Sequence, residues 1–421
     1  MRLAALVALL MLAATPAGAD VENALTAFEQ GDYAAARQRA EPLAKDGEAG
    51  AQFLLGLIYD RGYGTDADEI QAAYWYLQAA DQGLKQAADA LAEMYAGGRG
   101  ITSTGKKLVE LYEAASRNKR YAELDLADAY FLGDGTSVNK PAAAHWYARA
   151  ADRGLLPARL RLGWMLFNGD GIEADETAGA ALLRQAADGG SAEAQYWMGI
   201  AYASGRGVER DDGQAVIWYR RAAEQDHARA AFNLAVMTDE GRGTKKDRAA
   251  ALDWYRRAAD AGDVRAQYNL ALAYDAGDGV ERDRAEAFAW FRKAAEQGDP
   301  AALYRVGRAY DTGTGVDRDN AEATVWYRKA AEIGEVEAQY RLGLLYANGE
   351  GVELDLAEGL FWYSIAAAQG HTDAADAAKR ITRKLPDPKV AEVEAMAKDW
   401  LAAHAAAESP DTATAATPAP E

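Results

Sequence analysis

Cysteine is absent from all 421 residues of the chain. Its absence removes disulfides, thiolate metal sites, cysteine nucleophiles and lipid attachment through a cysteine. Histidine is scarce. His145, His227, His371 and His404 are scattered, and no His-Glu-x-x-His pair exists to hold a zinc ion. Positive charge is in deficit as well, with 46 Lys and Arg against 65 Asp and Glu, a net charge of −19. So acidic a chain is a poor general binder of DNA, RNA or anionic lipid, because attraction to phosphate needs a clustered positive field. A metalloenzyme and a nucleic-acid partner are both disfavoured, and no cofactor is expected. Apolar and aromatic residues, by contrast, make up 50% of the chain. That is ample for a buried core and excludes a wholly disordered chain.

Long hydrophobic runs are missing beyond the first residues. Arg2 precedes an apolar stretch, Leu3–Ala14, and Thr15-Pro16 breaks it. Ala17-Gly18-Ala19 then supplies small residues where a signal peptidase reads. The pattern predicts a secretory signal peptide over residues 1–19, cleaved before Asp20. The stretch is too short for a membrane span, which takes about 20 residues. Export to the periplasm is the first expectation and the extracellular space the second, with no transmembrane segment after cleavage.

What fills the rest is a repeat. Gly-x-Gly pairs begin at Gly62, Gly98, Gly133, Gly169, Gly205, Gly241, Gly277, Gly313 and Gly349, at a spacing of 36 with one step of 35. Each is followed by a Trp or Leu column: Trp75, Leu111, Trp146, Leu182, Trp218, Trp254, Trp290, Trp326 and Trp362. Ala stands four residues after every one of these. Nine repeats therefore occupy residues 48–370.

Each repeat reads as two helices. In the seventh, Ala266, Leu270 and Tyr274 share one face by i, i+4 spacing. Gly277 ends that helix, and Asp283 caps a second whose apolar stripe begins at Ala287 and Trp290. The cap column holds Asp68, Thr104, Asn139, Asp175, Asp211, Asp247, Asp283, Asp319 and Asp355. Gln71, Gln214, Glu286, Glu322 and Glu358, three residues on, suggest capping boxes. No strand pattern competes.

One helix pair cannot bury its stripes alone, so stacked pairs must share a core and the ends need caps. Residues 20–47 supply an N-terminal capping helix pair. Residues 371–407 supply C-terminal capping helices, with Pro386-Asp-Pro388 as a break and Val390, Val393, Met396, Trp400 and Leu401 as the stripe of a closing helix. The low-complexity tail 408–421 is expected to be disordered.

Leu-Gly-x-x-Tyr, Gly-x-Gly-Val, Asp and Trp-Tyr-x-x-Ala-Ala together resemble the Sel-1-like repeat (SLR), a relative of the tetratricopeptide repeat. Arg341–Tyr346 and Trp326–Ala331 carry the resemblance best. It implies an all-α fold, a right-handed α-solenoid of antiparallel helix pairs with a concave face, and an adaptor role. Exported bacterial members are similar to regulators of envelope signalling and polysaccharide export. Three repeats depart from the pattern. The second has Leu111, Ser116 and Lys119. The third is one residue short and has Glu123 where Ala is usual. The fourth has Leu182-Leu183 for Trp-Tyr.

Few residues suggest chemistry. Gly100–Lys107 approaches a phosphate-binding loop, but Lys107 stands where Mg²⁺ binding needs Ser or Thr, and a helix precedes it. His227 and His371 fall in the same exposed turn of different repeats. Trp164 and Trp197 lie outside the Trp column, and two readings stay open: refilling the volume lost at Leu182, or a binding hot spot. The first helices of repeats four to seven carry a second apolar set, Leu160, Trp164, Phe167, Tyr196, Ile200, Phe232, Val236, Tyr268 and Leu272. It predicts a partner-binding groove on the concave face, rimmed by Glu193, Arg229, Arg265 and Asp275. The function expected is a non-enzymatic protein–protein interaction scaffold of the cell envelope, serving a sensor or an export or assembly complex. The alternative is a glycan-binding accessory protein or an envelope enzyme of polysaccharide or cell-wall metabolism.

Overall fold

The computed structural model describes residues 16–82, 84–96, 121–134 and 138–407. The expected signal segment up to residue 15, the Gly100–Lys107 loop and the tail 408–421 lie outside the described residues. The described chain is all-α and divides into two compact bodies between Leu155 and Leu156, each a right-handed solenoid of paired antiparallel helices.

The first body holds α1 (Pro16–Glu29), α2 (Tyr33–Lys45), α3 (Ala49–Arg61), α4 (Glu69–Asp81), α5 (Lys85–Ala96), α6 (Ala122–Leu132) and α7 (Lys140–Asp152). The pair α1–α2 covers the first repeat. Ala24, Leu25 and Phe28 join Ala36, Ala40 and Ala44 in one core with Leu54, Leu55 and Ile58. The second body holds α8 (Leu156–Asn168), α9 (Glu176–Asp188), α10 (Ala192–Ser204), α11 (Asp212–Ala223), α12 (Ala228–Glu240), α13 (Arg248–Asp260) and α14 (Val264–Ala276). It continues with α15 (Arg284–Glu296), α16 (Pro300–Thr312), α17 (Asn320–Glu332), α18 (Val336–Asn348), α19 (Leu356–Ala368), α20 (Thr372–Thr382) and α21 (Asp387–Ala407).

The repeat motif has a physical reason at each position. The cap column works as expected at the described residues. Asp175, Asp211 and Asp247, for example, accept the N–H three residues on at 2.9–3.0 Å. Among the described residues, the first Gly of each Gly-x-Gly pair ends a helix in the left-handed region, as Gly241 does at φ 77°. Where it is described, the second also has positive φ, and close approach adds a further constraint. A Cβ on Gly243 or Gly315 would strike the main-chain carbonyl of Asp212 or Arg284, at the start of the preceding second helix. The motif Gly of the first helix receives a ring from the second: a Cβ on Gly307 would lie 2.7 Å from Cδ1 of Tyr327. The Lys or Arg of Trp-Tyr-x-(Lys/Arg)-Ala-Ala lies over the indole three residues before it. Arg149 is 4.7 Å from the Trp146 ring and Lys329 4.4 Å from Trp326.

Several expectations change. Glu322 and Glu358 accept the indole N–H of Trp326 and Trp362 at 3.2 and 3.0 Å, rather than closing capping boxes. On α21 the buried positions are Val393 and Ala397, while Met396 is exposed. The stripe turns because Trp400 packs on Trp362 at 6.1 Å and His404 stacks on Trp400. Pro386-Asp-Pro388 leads into this helix, which starts at Asp387.

Glu123 does not replace an Ala. Counted back from its Gly-x-Gly pair, it occupies the column of Gln52, Gln195, Gln267 and Gln339, all buried. Each of these Gln side chains donates to the main-chain oxygen eight residues earlier, at 3.0–3.2 Å. Each accepts from the Gln thirty residues later, at 2.7–2.9 Å. In the third repeat the same two positions hold Glu123 and Arg153, joined at 2.9 Å, with Arg149 at 3.0 Å. Repeats four, six and eight put Arg159 and Gly189, Ala231 and Ala261, and Leu303 and Ile333 there. At this column, odd repeats carry a polar bridge and these even ones do not, so the period is two repeats.

Candidate functional site

The nine residues expected to line a groove divide by burial. Leu160, Trp164, Phe167 and Tyr196 are buried. Ile200, Phe232, Val236, Tyr268 and Leu272 are half-buried. For the first four an open groove is therefore incorrect. Trp164 and Phe167 pack edge-on against Trp197, at 6.5 and 6.2 Å, and fill space beside the small column residues of repeat four. There Gly163 and Gly179 let α8 and α9 approach until a Cβ on Gly163 would lie 3.0 Å from Leu183. The two unplaced tryptophans belong to the core.

The aromatic column has a packing role. Tyr196, Phe232 and Tyr268 each pack a ring on the aromatic residue twenty-three positions later, Tyr219, Tyr255 and Phe291, at 6.1, 5.8 and 5.4 Å. The same pairing recurs at Tyr304–Tyr327 and Tyr340–Tyr363. These contacts lock the first helix onto the second within a repeat. One turn further along the first helices, Ile200, Val236 and Leu272 form a row on α10, α12 and α14, half open to solvent.

Around Tyr196 lies a polar cluster the sequence did not announce. His227 and His371 do not sit in exposed turns. Each is an N-cap whose Nδ1 accepts a main-chain N–H at 3.2 Å. Each stacks on a Tyr ring, His227 on Tyr196 at 4.8 Å and His371 on Tyr340 at 4.5 Å. Their Nε2 atoms meet Glu193 at 2.7 Å and Glu337 at 3.1 Å. Trp197 also donates to Glu193, at 2.7 Å. Burial pushes the Glu193 carboxyl up, but its bonds with His227 and Trp197 outweigh burial and hold it below the usual range. Burial raises the Tyr196 phenol.

Of the remaining expected rim residues, Arg265 lies 4.0 Å from the Phe232 ring and pairs with Asp263 at 2.8 Å. Together with Tyr196, Arg229 and Gly262 it lines an open cavity of about 440 Å³. Asp275 faces a second cavity, between repeats seven and eight, of about 190 Å³. Among the described residues no group of three or more His, Asp or Glu could hold a metal ion. No described helix is long and apolar enough to cross a membrane. The architecture is an all-α repeat scaffold, suited to holding other proteins along its helix faces.

The Sel1 repeat model matches residues 49–84, 120–155, 156–191, 192–227, 228–263, 264–299, 300–335 and 336–371. It leaves out the repeat whose Trp column is broken at Leu111. No curated protein matches the chain. A Sel1 repeat protein from Oxalobacter formigenes is 29% identical, with 84% of this chain and 93% of that one covered and a TM-score of 0.54. A protective antigen of uropathogenic Escherichia coli strains that displays an SLR fold is 30% identical, with 93% of each chain covered and a TM-score of 0.46. With eight matched repeats spread over most of its length, the chain belongs to the Sel1 repeat family.

Proposed function

We propose that this chain is an exported, non-enzymatic scaffold that holds a protein partner of the cell envelope, a sensor or an export or assembly complex, on the concave face of its first helices. The observation that carries the reading is the row Ile200, Val236 and Leu272. Three consecutive first helices present one aliphatic side chain each, half open to solvent. The fold does not need an apolar residue there, since the eighth repeat has Arg308 at the same position. An aliphatic row kept partly in water is the kind of feature that interfaces cover. Export is part of the same proposal and rests on the Arg2–Ala19 pattern.

The test replaces Ile200, Val236 and Leu272 by Ser together and compares capture of envelope proteins by the parent and the variant. The expected result is an unchanged melting curve with loss of the partner. A variant that still captures the same partner sinks the face assignment. Mass measurement of the exported chain should give Asp20 as the first residue. A retained Met1 would remove the export part.

A further inference from the structure

The cavity between repeats seven and eight is unlike its counterparts. Arg282 enters it from the loop after α14, Arg284 from α15, and Arg305 and Arg308 from α16, with Asp275 as the acid and Phe288 among the apolar walls. Four bases thus face one acid in a chain of net charge −19.

The repeat supplies its own controls. Shifting the seven polar positions of this junction (275, 282, 284, 305, 308, 312 and 314) by whole repeats gives the other junctions from repeat four to repeat nine, and each of those four is balanced. Between repeats four and five, Glu176 meets Arg206 at 2.7 Å. Between five and six, Asp212 and Glu240 offset Arg210 and Arg242. Between six and seven, Arg248 is held by Asp239 at 2.7 Å and Asp278 at 3.0 Å. Between eight and nine, Arg318 pairs with Glu350, and Asp311 offsets Arg341.

At the seventh junction Arg284 repeats Arg248, but Thr314 stands where Asp278 did, and Arg305 and Arg308 replace Asn269 and Leu272. None of the four arginines forms an ion pair among the described residues. Arg282 donates instead to the main-chain oxygen of Asp275 at 2.8 Å, and Arg305 lies 5.9 Å from the Phe291 ring.

We propose that this junction seats the carboxylates of an acidic segment of a protein partner, at the end of the apolar row. This rests on the scaffold reading above and deepens it. Arg308 takes in repeat eight the position that Ile200, Val236 and Leu272 take in repeats five to seven. A segment lying along the row meets three aliphatic side chains and then a basic cluster. The matching ligand carries apolar residues followed by Asp or Glu. Guanidinium groups suit carboxylates because their planar donors bond both oxygens.

The site does not suit a free small anion. Three of its four arginines are exposed, whereas small-ligand sites bury roughly 70–90% of their ligand. A long polyanion is opposed by the acids elsewhere in the chain. A short acidic run is not, because charges beyond about 8 Å are screened at physiological salt.

The probe is a fluorescein-labelled peptide with three Leu followed by three Glu, and its counterpart with Gln for Glu, titrated with the whole chain by anisotropy. The Glu peptide should bind at least about tenfold more tightly, a difference that salt diminishes. Arg305→Gln with Arg308→Gln should abolish the difference while the melting curve stays put. Arg210→Gln, at a balanced junction, should preserve it, and Arg308→Lys should retain part of it.

Equal binding of the two peptides, or indifference to the arginine pair, overturns the proposal. Free citrate that displaces the peptide at equal carboxylate concentration also overturns it, in favour of a small-anion site. The Ser variants of the apolar row separate the two readings. If they lose the partner while the arginine pair is without effect, the scaffold stands and only this inference fails.

Discussion

Gly307→Ala is the sharpest test of how these repeats hold together. A methyl at Gly307 would lie 2.7 Å from Cδ1 and 3.0 Å from Cε1 of Tyr327. Ordinary contact needs several tenths of an ångström more, so the ring or the helix must shift. Tyr327 has little freedom to do so. It is fully buried, packs on Tyr304 at 5.8 Å and donates its hydroxyl to Asp311 at 3.3 Å. Overpacking of this kind costs about 1–3 kcal/mol. Ala favours a helix over Gly by about 1 kcal/mol, which offsets part of it. The net loss should be about 0–2 kcal/mol. In an array the loss is local, and the melting temperature of the whole chain reports it poorly. Hydrogen exchange should therefore be followed on α16 and α17, where protection should fall while α10 and α11 keep theirs. Tyr327→Leu should ease the clash only in part, because in repeat four, where Leu183 takes the place of the ring, a Cβ on Gly163 would still lie 3.0 Å from it. The double variant should then cost less than the sum of the singles. A stabilising Gly307→Ala, or unchanged exchange on α16 and α17, would refute the ring-on-glycine account.

Three further outcomes are expected. Glu193 has a folded pKa below its usual 4.5, so it contributes stability above about pH 4.5 that is lost as pH falls through the folded value; Glu193→Gln should lower stability at pH 7 and flatten the acid limb of an exchange or denaturation profile. Gln267→Leu removes bonds of 3.1 and 2.9 Å to Ala259 and from Gln297 and should cost about 1–2 kcal/mol in urea denaturation, whereas Leu303→Ala in the next repeat should cost more, about 2–5 kcal/mol, through lost volume alone. Arg153→Gln should destabilise the third repeat by leaving the Glu123 carboxylate one guanidinium short, and adding Glu123→Gln should restore much of the loss by recreating the Gln bridge.

The architecture was legible because its signals are periodic. Each Gly-x-Gly pair, cap and Trp is weak evidence alone, but repetition separates them from chance. Hence the stacked helix pairs followed directly from spacing. What spacing could not supply is which neighbour a side chain meets. Glu322 and Glu358 stand three residues after a cap in the pattern of a capping box, yet each takes the indole N–H one turn on. The Gln bridge links positions thirty residues apart in alternate repeats, so a search for a period of 36 averages it away. Glu123 looked like a departure because the third repeat is one residue short, and the count slipped by that residue.

The groove illustrates the opposite limit. Counting apolar residues on a helix cannot tell a face that packs on the partner helix from one that meets solvent. Tyr196, Phe232 and Tyr268 satisfied the count because each repeat needs an aromatic there for its second helix. Ile200, Val236 and Leu272, one turn on, have no such recurring aromatic partner and stay half open. The basic junction was available in the sequence all along, provided the columns were compared for charge rather than hydrophobicity. The four other junctions between repeats four and nine balance their charges. A junction that keeps four arginines with one acid gives up that internal pairing, and the unpaired charge is free for a partner. In a repeat protein, therefore, the informative residues are those where one repeat breaks a column that its neighbours keep.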